Sequence, residues 1–326
     1  MAKMWKNKEI QIRDPFVFPD QKSVKYYLFG STDPDIWGRG TGFDLYIGED
    51  LENWEGPFPA FRPCKDFYAE ENFWAPEVHE YRDRYYMFAT FLQKDTRRRG
   101  TAVLVADDLA GPYEPHSNGP VTPGDWFSLD GTFYLDDAGT PWLVFCHEWV
   151  QVGDGRICAV RLSDDLKESR GEPVVLFSAS EAPWPTAFQH RSSNSPHNYV
   201  TDGPFLYRTA NNRLLMLWSS FIHNVYAQGV AVSVTGEITG PWRHEAAPLY
   251  RNDGGHGMIF RTFTNKLMLA LHSPNTTPLE RPVFIELEEK NGRLQPGSRT
   301  GAQPAWAGGK CNRRGKEKGK EEAVND

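Results

Sequence analysis

The chain has 326 residues, 39% hydrophobic and 24% charged, with a formal net charge of −7, so it can bury a sizeable core but offers no basic surface for a nucleic-acid backbone. No run approaches the roughly 18 apolar residues of a membrane span, and the opening MAKMWKNKEIQIRDP has no apolar leader-like stretch, so a soluble, cytoplasmic protein with a neutral partner is expected. Cys64, Cys146, Cys158 and Cys311 have neither zinc-ligand spacing nor the density of a disulfide scaffold, and are expected as buried thiols.

Taken in chain order, the predicted elements repeat one phrase five times: a polar residue, a short apolar strand, a turn, and a second strand rich in Tyr, Leu, Met and Phe. The copies read RDPFVFPDQKSVKYYLFGS from Arg13, APEVHEYRDRYYMFAT from Ala75, LDGTFYLDDAGTPWLVFCH from Leu129, TDGPFLYRTANNRLLMLWSS from Thr201 and GHGMIFRTFTNKLMLALHS from Gly255. A second phrase, a strand running into a Gly-Pro or Glu-Pro turn, falls between the copies and supplies the outer strands. Asp136 to Gly139 and Asn211-Asn212 are tight-turn residues between antiparallel strands. No amphipathic helix of ten or more residues competes with this meander. A β-sandwich is the rival fold, but five copies of about sixty residues favour radial repetition with short, protected sheet edges. The expectation is an all-β, five-bladed β-propeller over residues 1–295, followed by a polar tail, 296–326, too poor in apolar residues to order itself.

The copies open with Asp14, Glu77, Asp130, Asp202 and His256, spaced by 63, 53, 72 and 54 residues. The first strand of a propeller blade lines the central channel, so these side chains are expected to meet at one end of the axis. As turn formers, Asp-Pro and Asp-Gly need no further explanation. As a cluster, four carboxylates and a histidine are costly, because like charges and burial oppose ionisation. The chemical gain is that carboxyls in unlike environments hold different protonation states, one as acid and one as base. Glycoside hydrolysis requires such a pair.

These motifs resemble glycoside hydrolase family 43, the inverting arabinofuranosidase, xylosidase and arabinanase family, over roughly Ile10 to Leu294. The resemblance lies in Arg13-Asp14-Pro15, Trp74-Ala75-Pro76-Glu77, Leu129-Asp130-Gly131 and Gly255-His256-Gly257. It implies Asp14 as the general base that activates water and Asp130 as the residue that orients the sugar and keeps the acid's pKa high. The family's acid is usually a Glu in Glu-Gly-Pro; here the matching segment is Asp202-Gly203-Pro204, one methylene shorter, with Glu148 as the alternative donor. Phe73, Trp74, Glu77, Trp126 and Arg281 are expected to line the sugar pocket, the three aromatics as stacking walls and Arg281 on a sugar hydroxyl. No cofactor is required, while family members often hold calcium or another hard cation near the axial histidine, here His256, partly through water.

The function so implied is inverting removal of terminal α-L-arabinofuranosyl or β-D-xylosyl residues from short neutral oligosaccharides. A retaining, fructan-active relative and a non-catalytic sugar-binding propeller are the alternatives, and the Asp202 substitution keeps the latter open. The sequence sets neither the oligomeric state nor endo against exo action.

Overall fold

The computed structural model describes residues 3–190 and 195–297. Five antiparallel sheets account for almost all regular structure, each running from its innermost to its outermost strand in chain order. Blade 1 comprises Arg13–Asp20, Lys25–Ser31, Phe43–Gly48 and Asn53–Phe61, with Met4–Lys6 added outside the last. Blade 2 comprises Ala69–Tyr81, Arg84–Gln93, Arg99–Ala106 and Glu114–Pro115; blade 3 comprises Ser128–Leu135, Pro141–His147, Arg156–Leu162 and Ser169–Ser178. Blade 4 comprises Asp202–Arg208, Leu214–Ile222, Val225–Ser233 and Trp242–His244; blade 5 comprises Gly255–Arg261, Leu267–Ser273, Arg281–Lys290 and Arg293–Pro296. The five-bladed propeller expected from the repeats is the fold. Its last strand ends at Pro296, and the expected tail lies, from residue 298 on, outside the described residues.

The turns form where small polar residues permit them. Asp136 accepts backbone N–H bonds from Ala138 at 3.0 Å and Thr140 at 2.8 Å, folding the hairpin between the first two strands of blade 3. Each strand buries one set of side chains against the next blade, so the core is a ring of seams rather than one centre. Phe88 and Val103 meet Leu143, Phe145 and Val160 between blades 2 and 3; Val144 and Ile157 meet Met216 and Trp218 between blades 3 and 4. Every such large apolar side chain contributes about 1.5–3 kcal/mol. Cys146 and Cys158 lie in these seams, whereas Cys64 is exposed, contrary to the buried thiol expected there, because it sits in the loop after blade 1 rather than in a strand.

Blades 5 and 1 close the ring through individual contacts. The Ile12 N–H donates to the Glu280 carbonyl at 3.3 Å, the Arg13 guanidinium pairs with the buried Glu280 carboxylate at 3.0 Å, and Arg281 Nε donates to the Lys8 carbonyl at 2.8 Å.

Candidate active site

Each innermost strand carries the same irregularity, at its start in four blades and in mid-strand in blade 2. The register of its pairing slips just after Arg13, Trp74, Leu129, Asp202 and Gly255, and the residue that follows each of these has positive φ. Those residues are Asp14 (53°), Ala75 (47°), Asp130 (56°), Gly203 (49°) and His256 (51°). The bulge turns a side chain out of the pleat and towards the axis. It also frees a backbone N–H, which a residue of the preceding blade takes up. Ser31 Oγ accepts from Ala75 at 2.8 Å, Thr90 Oγ1 from Asp130 at 2.9 Å, Ser219 Oγ from His256 at 2.8 Å and His272 Nδ1 from Asp14 at 3.1 Å.

This geometry corrects the alignment of the repeats. The positions equivalent to Asp14, Asp130 and His256 are Ala75 and Gly203, not Glu77 and Asp202. Glu77 lies two residues further along its strand, paired with His79 at 3.1 Å. In blade 4 the equivalent position holds no side chain because the His256 ring occupies that space. A Cβ on Gly203 would lie 2.6 Å from His256 Cγ. The carboxyl of this blade therefore comes from one residue earlier, Asp202.

Asp14, Asp130, Asp202 and His256 do converge. His256 Nδ1 is 3.1 Å from Asp14 Oδ1 and 3.6 Å from Asp130 Oδ2. Asp14 Oδ2 accepts the Ser31 hydroxyl at 2.7 Å, Asp130 Oδ2 accepts the Gly203 N–H at 3.0 Å, and Asp202 Oδ2 accepts the Tyr226 hydroxyl at 3.0 Å. Asp14 and Asp130 are buried and Asp202 is partly buried, yet the three are held in unlike states. Burial opposes ionisation of Asp14, but the His256 charge and hydrogen bond, aided by Arg13, outweigh it and hold this carboxylate well below the usual range. For Asp130, burial wins over His256, and Asp202 and Asp14 add to it, pushing the carboxyl up to about 7. Burial likewise dominates at Asp202, partly offset by His256, Tyr226 and Arg13, and pushes it up to about 6. Burial disfavours the His256 charge too, but Asp14 and then Asp130 outweigh it and raise the imidazolium to about 10. An ionised carboxylate, two carboxyls that favour the proton and an imidazolium thus share one site.

The remaining expected residues are placed as follows. Glu148 is buried in a two-point ion pair with Arg99 Nη1 at 2.8 and 2.7 Å. Phe73 is not a wall of the site: it is 2% exposed and packs with Phe43, Phe61, Phe67 and Phe91 in the seam between blades 1 and 2. Trp74 carries the Arg99 guanidinium 5.0 Å from its ring centroid and donates its indole N–H to the Ile36 carbonyl. Trp126 has one face stacked on His147 at 4.0 Å. Arg281 spends its guanidinium on the carbonyls of Lys8, Pro278 and Glu280, a structural clasp rather than a free donor. The cation expected near His256, held partly through water, would meet no ready-made chelate, since no three His, Cys, Asp or Glu side chains among the described residues converge so as to hold a metal directly. His256 Nδ1 is already committed to Asp14.

Sequence reasoning passed over Ser31, His272, Tyr226, Arg13 and Trp37. Trp37, 49% exposed, meets Trp74 edge to face at 5.0 Å and offers a free aromatic surface beside the site. A signal for the first two was present. The second strand of each repeat reaches a residue in register with the one before the bulge: Ser31, Thr90, Cys146, Ser219 and His272.

Propeller, axial carboxyls and buried imidazolium together define a glycoside hydrolase. The chain belongs to glycosyl hydrolases family 43, whose model matches residues 8–303. Among solved structures it is similar to the endo-arabinase from Bacteroides thetaiotaomicron VPI-5482, with 40% identity and a TM-score of 0.81, over 88% of this chain and 98% of that one. An endo-1,4-beta-xylanase from the same organism shares 22% identity and a TM-score of 0.71, covering 90% and 97%. An alpha-L-arabinofuranosidase from Lactobacillus brevis shares 17% identity and a TM-score of 0.66, covering 88% and 93%. No curated protein matches the chain.

Proposed function

We propose that this protein hydrolyses α-L-arabinofuranosyl linkages in arabinan-type oligosaccharides with inversion at the anomeric carbon. The observation that carries this reading is the division of labour among the axial carboxyls: Asp14 is kept anionic while Asp202 is pushed up to about 6. Asp14 would take a proton from water as the water oxygen bonds to the anomeric carbon. Asp202 would give its proton to the departing glycosidic oxygen, and Asp130 would orient the sugar. Burial raises the proton affinity of Glu148 and Arg99 only partly offsets it, but Arg99 Nη1 occupies both of its carboxyl oxygens, which favours Asp202 as donor.

Arabinose is preferred over xylose because the 40% identical structure is described as an endo-arabinase, whereas the xylanase shares only 22%. The same similarity favours cleavage within the chain over release of terminal residues. Linear arabino-oligosaccharides and xylo-oligosaccharides, with the matching aryl glycosides, test both points. Short arabino-oligosaccharide products are expected; arabinose alone would indicate terminal release. Turnover of xylosyl substrates only would overturn the sugar assignment, and no turnover on any would leave a sugar-binding propeller.

A further inference from the structure

Asp202 is the residue at which the site departs from the family's usual acid, and its surroundings show how the shorter side chain is held. Tyr226, from the third strand of blade 4, is 1% exposed and donates its hydroxyl to Asp202 Oδ2 at 3.0 Å. The phenol is clamped on three sides. Its ring stacks on His272 at 5.7 Å with an interplanar angle of 22°, and lies 5.0 Å from the ring of Phe221. On the third side Gly255 leaves just enough room, since a Cβ there would lie 2.7 Å from Tyr226 Cε1.

His272 is itself fixed. Its Nδ1 accepts the Asp14 N–H, so that nitrogen is unprotonated, and Nε2 carries the hydrogen and donates to Asn275 Oδ1 at 3.1 Å. The ring is therefore neutral. Where Ser31, Thr90 and Ser219 cap a bulge with a hydroxyl, blade 5 uses an imidazole wide enough to support Tyr226 as well.

We propose that Tyr226, braced by His272, is a positioning residue that occupies Asp202 Oδ2 and so directs the transferable proton to Oδ1. In the reaction the Oδ1–H bond breaks as the glycosidic oxygen takes the proton and its bond to the anomeric carbon breaks. The resulting Asp202 carboxylate keeps the Tyr226 hydrogen bond. This inference rests on Asp202 being the acid. The charges facing Asp202 are the cations His256 and Arg13, which favour its anion, and the Asp14 carboxylate, which favours its proton, while Asp130 holds its own proton to a higher pH than Asp202.

Tyr226→Phe tests the idea, because it keeps the ring stack and deletes only the donor. Loss of one hydrogen bond to the anion should move the basic limb of kcat/KM up by about 0.5–1 pH unit. Arabino-oligosaccharides, which need a protonated leaving group, should lose roughly 10-fold in rate, while an activated aryl arabinofuranoside should change less than about 2-fold. An unmoved limb, or equal losses on the two substrates, would overturn the proposal and leave Tyr226 as packing only. His272→Asn keeps an acceptor for Asp14 but removes the brace, and should shift the limb in the same direction; it carries the test if Tyr226→Phe does not fold. Asp202→Ala separates the two levels. If it harms both substrates equally, the acid assignment itself fails; if it spares the activated one, the assignment stands and the Tyr226 result is read on its own.

Discussion

Replacing Gly203 with Ala isolates what the axial histidine does. Gly203 has φ +49°, and a Cβ there would lie 2.6 Å from His256 Cγ and 2.7 Å from Cδ2. Carbon atoms prefer about 3.5–4.0 Å, so the imidazole must retreat by roughly 1 Å. It cannot do so freely, because Nδ1 is held 3.1 Å from Asp14 and the backbone N–H is bonded to Ser219. The left-handed backbone costs Ala about 1 kcal/mol and the overpacking about 1–3 kcal/mol more. With roughly 0.6 kcal/mol per kelvin of unfolding entropy for a chain of this size, Tm should fall by about 3–7 °C. A displacement of this size in a catalytic cluster costs on the order of 100-fold in rate. Gly171→Ala supplies the control, since Gly171 also has positive φ (+76°) but nothing within 4 Å of the added Cβ. It should lose about 1–2 °C and no activity. Scanning calorimetry and kcat/KM on an aryl arabinofuranoside read both effects. If Gly203→Ala retained wild-type rate to within twofold, with a Tm no lower than that of Gly171→Ala, His256 would not be the fixed cation described above.

Three further outcomes are expected. Asp14→Asn should lower kcat by about 10²–10⁴-fold with little change in ligand affinity measured by calorimetry, because it removes the base but keeps a side chain of the same size; a loss confined to KM would reassign Asp14 to binding. The kcat/KM profile should be flat on the acid side down to about pH 4, where Asp14 is still ionised, and should fall as pH rises through about 6, where Asp202 loses its proton. A rate that climbed between pH 6 and 8 would contradict this. Stability should also fall with pH: folded His256 keeps its proton up to about 10, whereas the unfolded chain releases it near 6.5. Its contribution is complete below 6.5 and declines by at most about 1.4 kcal/mol per unit above it. Denaturant titrations between pH 7 and 8.5 should show this slope in the wild type and a flatter one in His256→Asn.

The repeat, the blade number and the axial gathering of Asp14, Asp130, Asp202 and His256 were legible because strand-opening polar residues recur at blade spacing. What misled was residue type standing in for backbone position. Glu77 and Asp202 were aligned with Asp14 because they are acidic, whereas the bulge places Ala75 and Gly203 there, and only the bulge's φ distinguishes them. Phe73 and Arg281 were legible as an aromatic and a cation beside key motifs, but not the seam that buries the first or the carbonyls that bind the second. Tyr226 and His272 sit within apolar strands at positions that read as core. The role of Tyr226 arises from a contact across blade 4 with Asp202, 24 residues away in sequence, and that of His272 from one across the gap to blade 1, with Asp14, 258 residues away.

The most direct test follows the first-formed sugar by proton NMR as the enzyme cleaves an α-L-arabinofuranosyl substrate. With Asp14 activating water on the face opposite the leaving group, the β-anomer should appear first and the α-anomer only as mutarotation proceeds. Initial release of the α-anomer would mean a covalent intermediate, and would contradict the assignment of Asp14 as a general base.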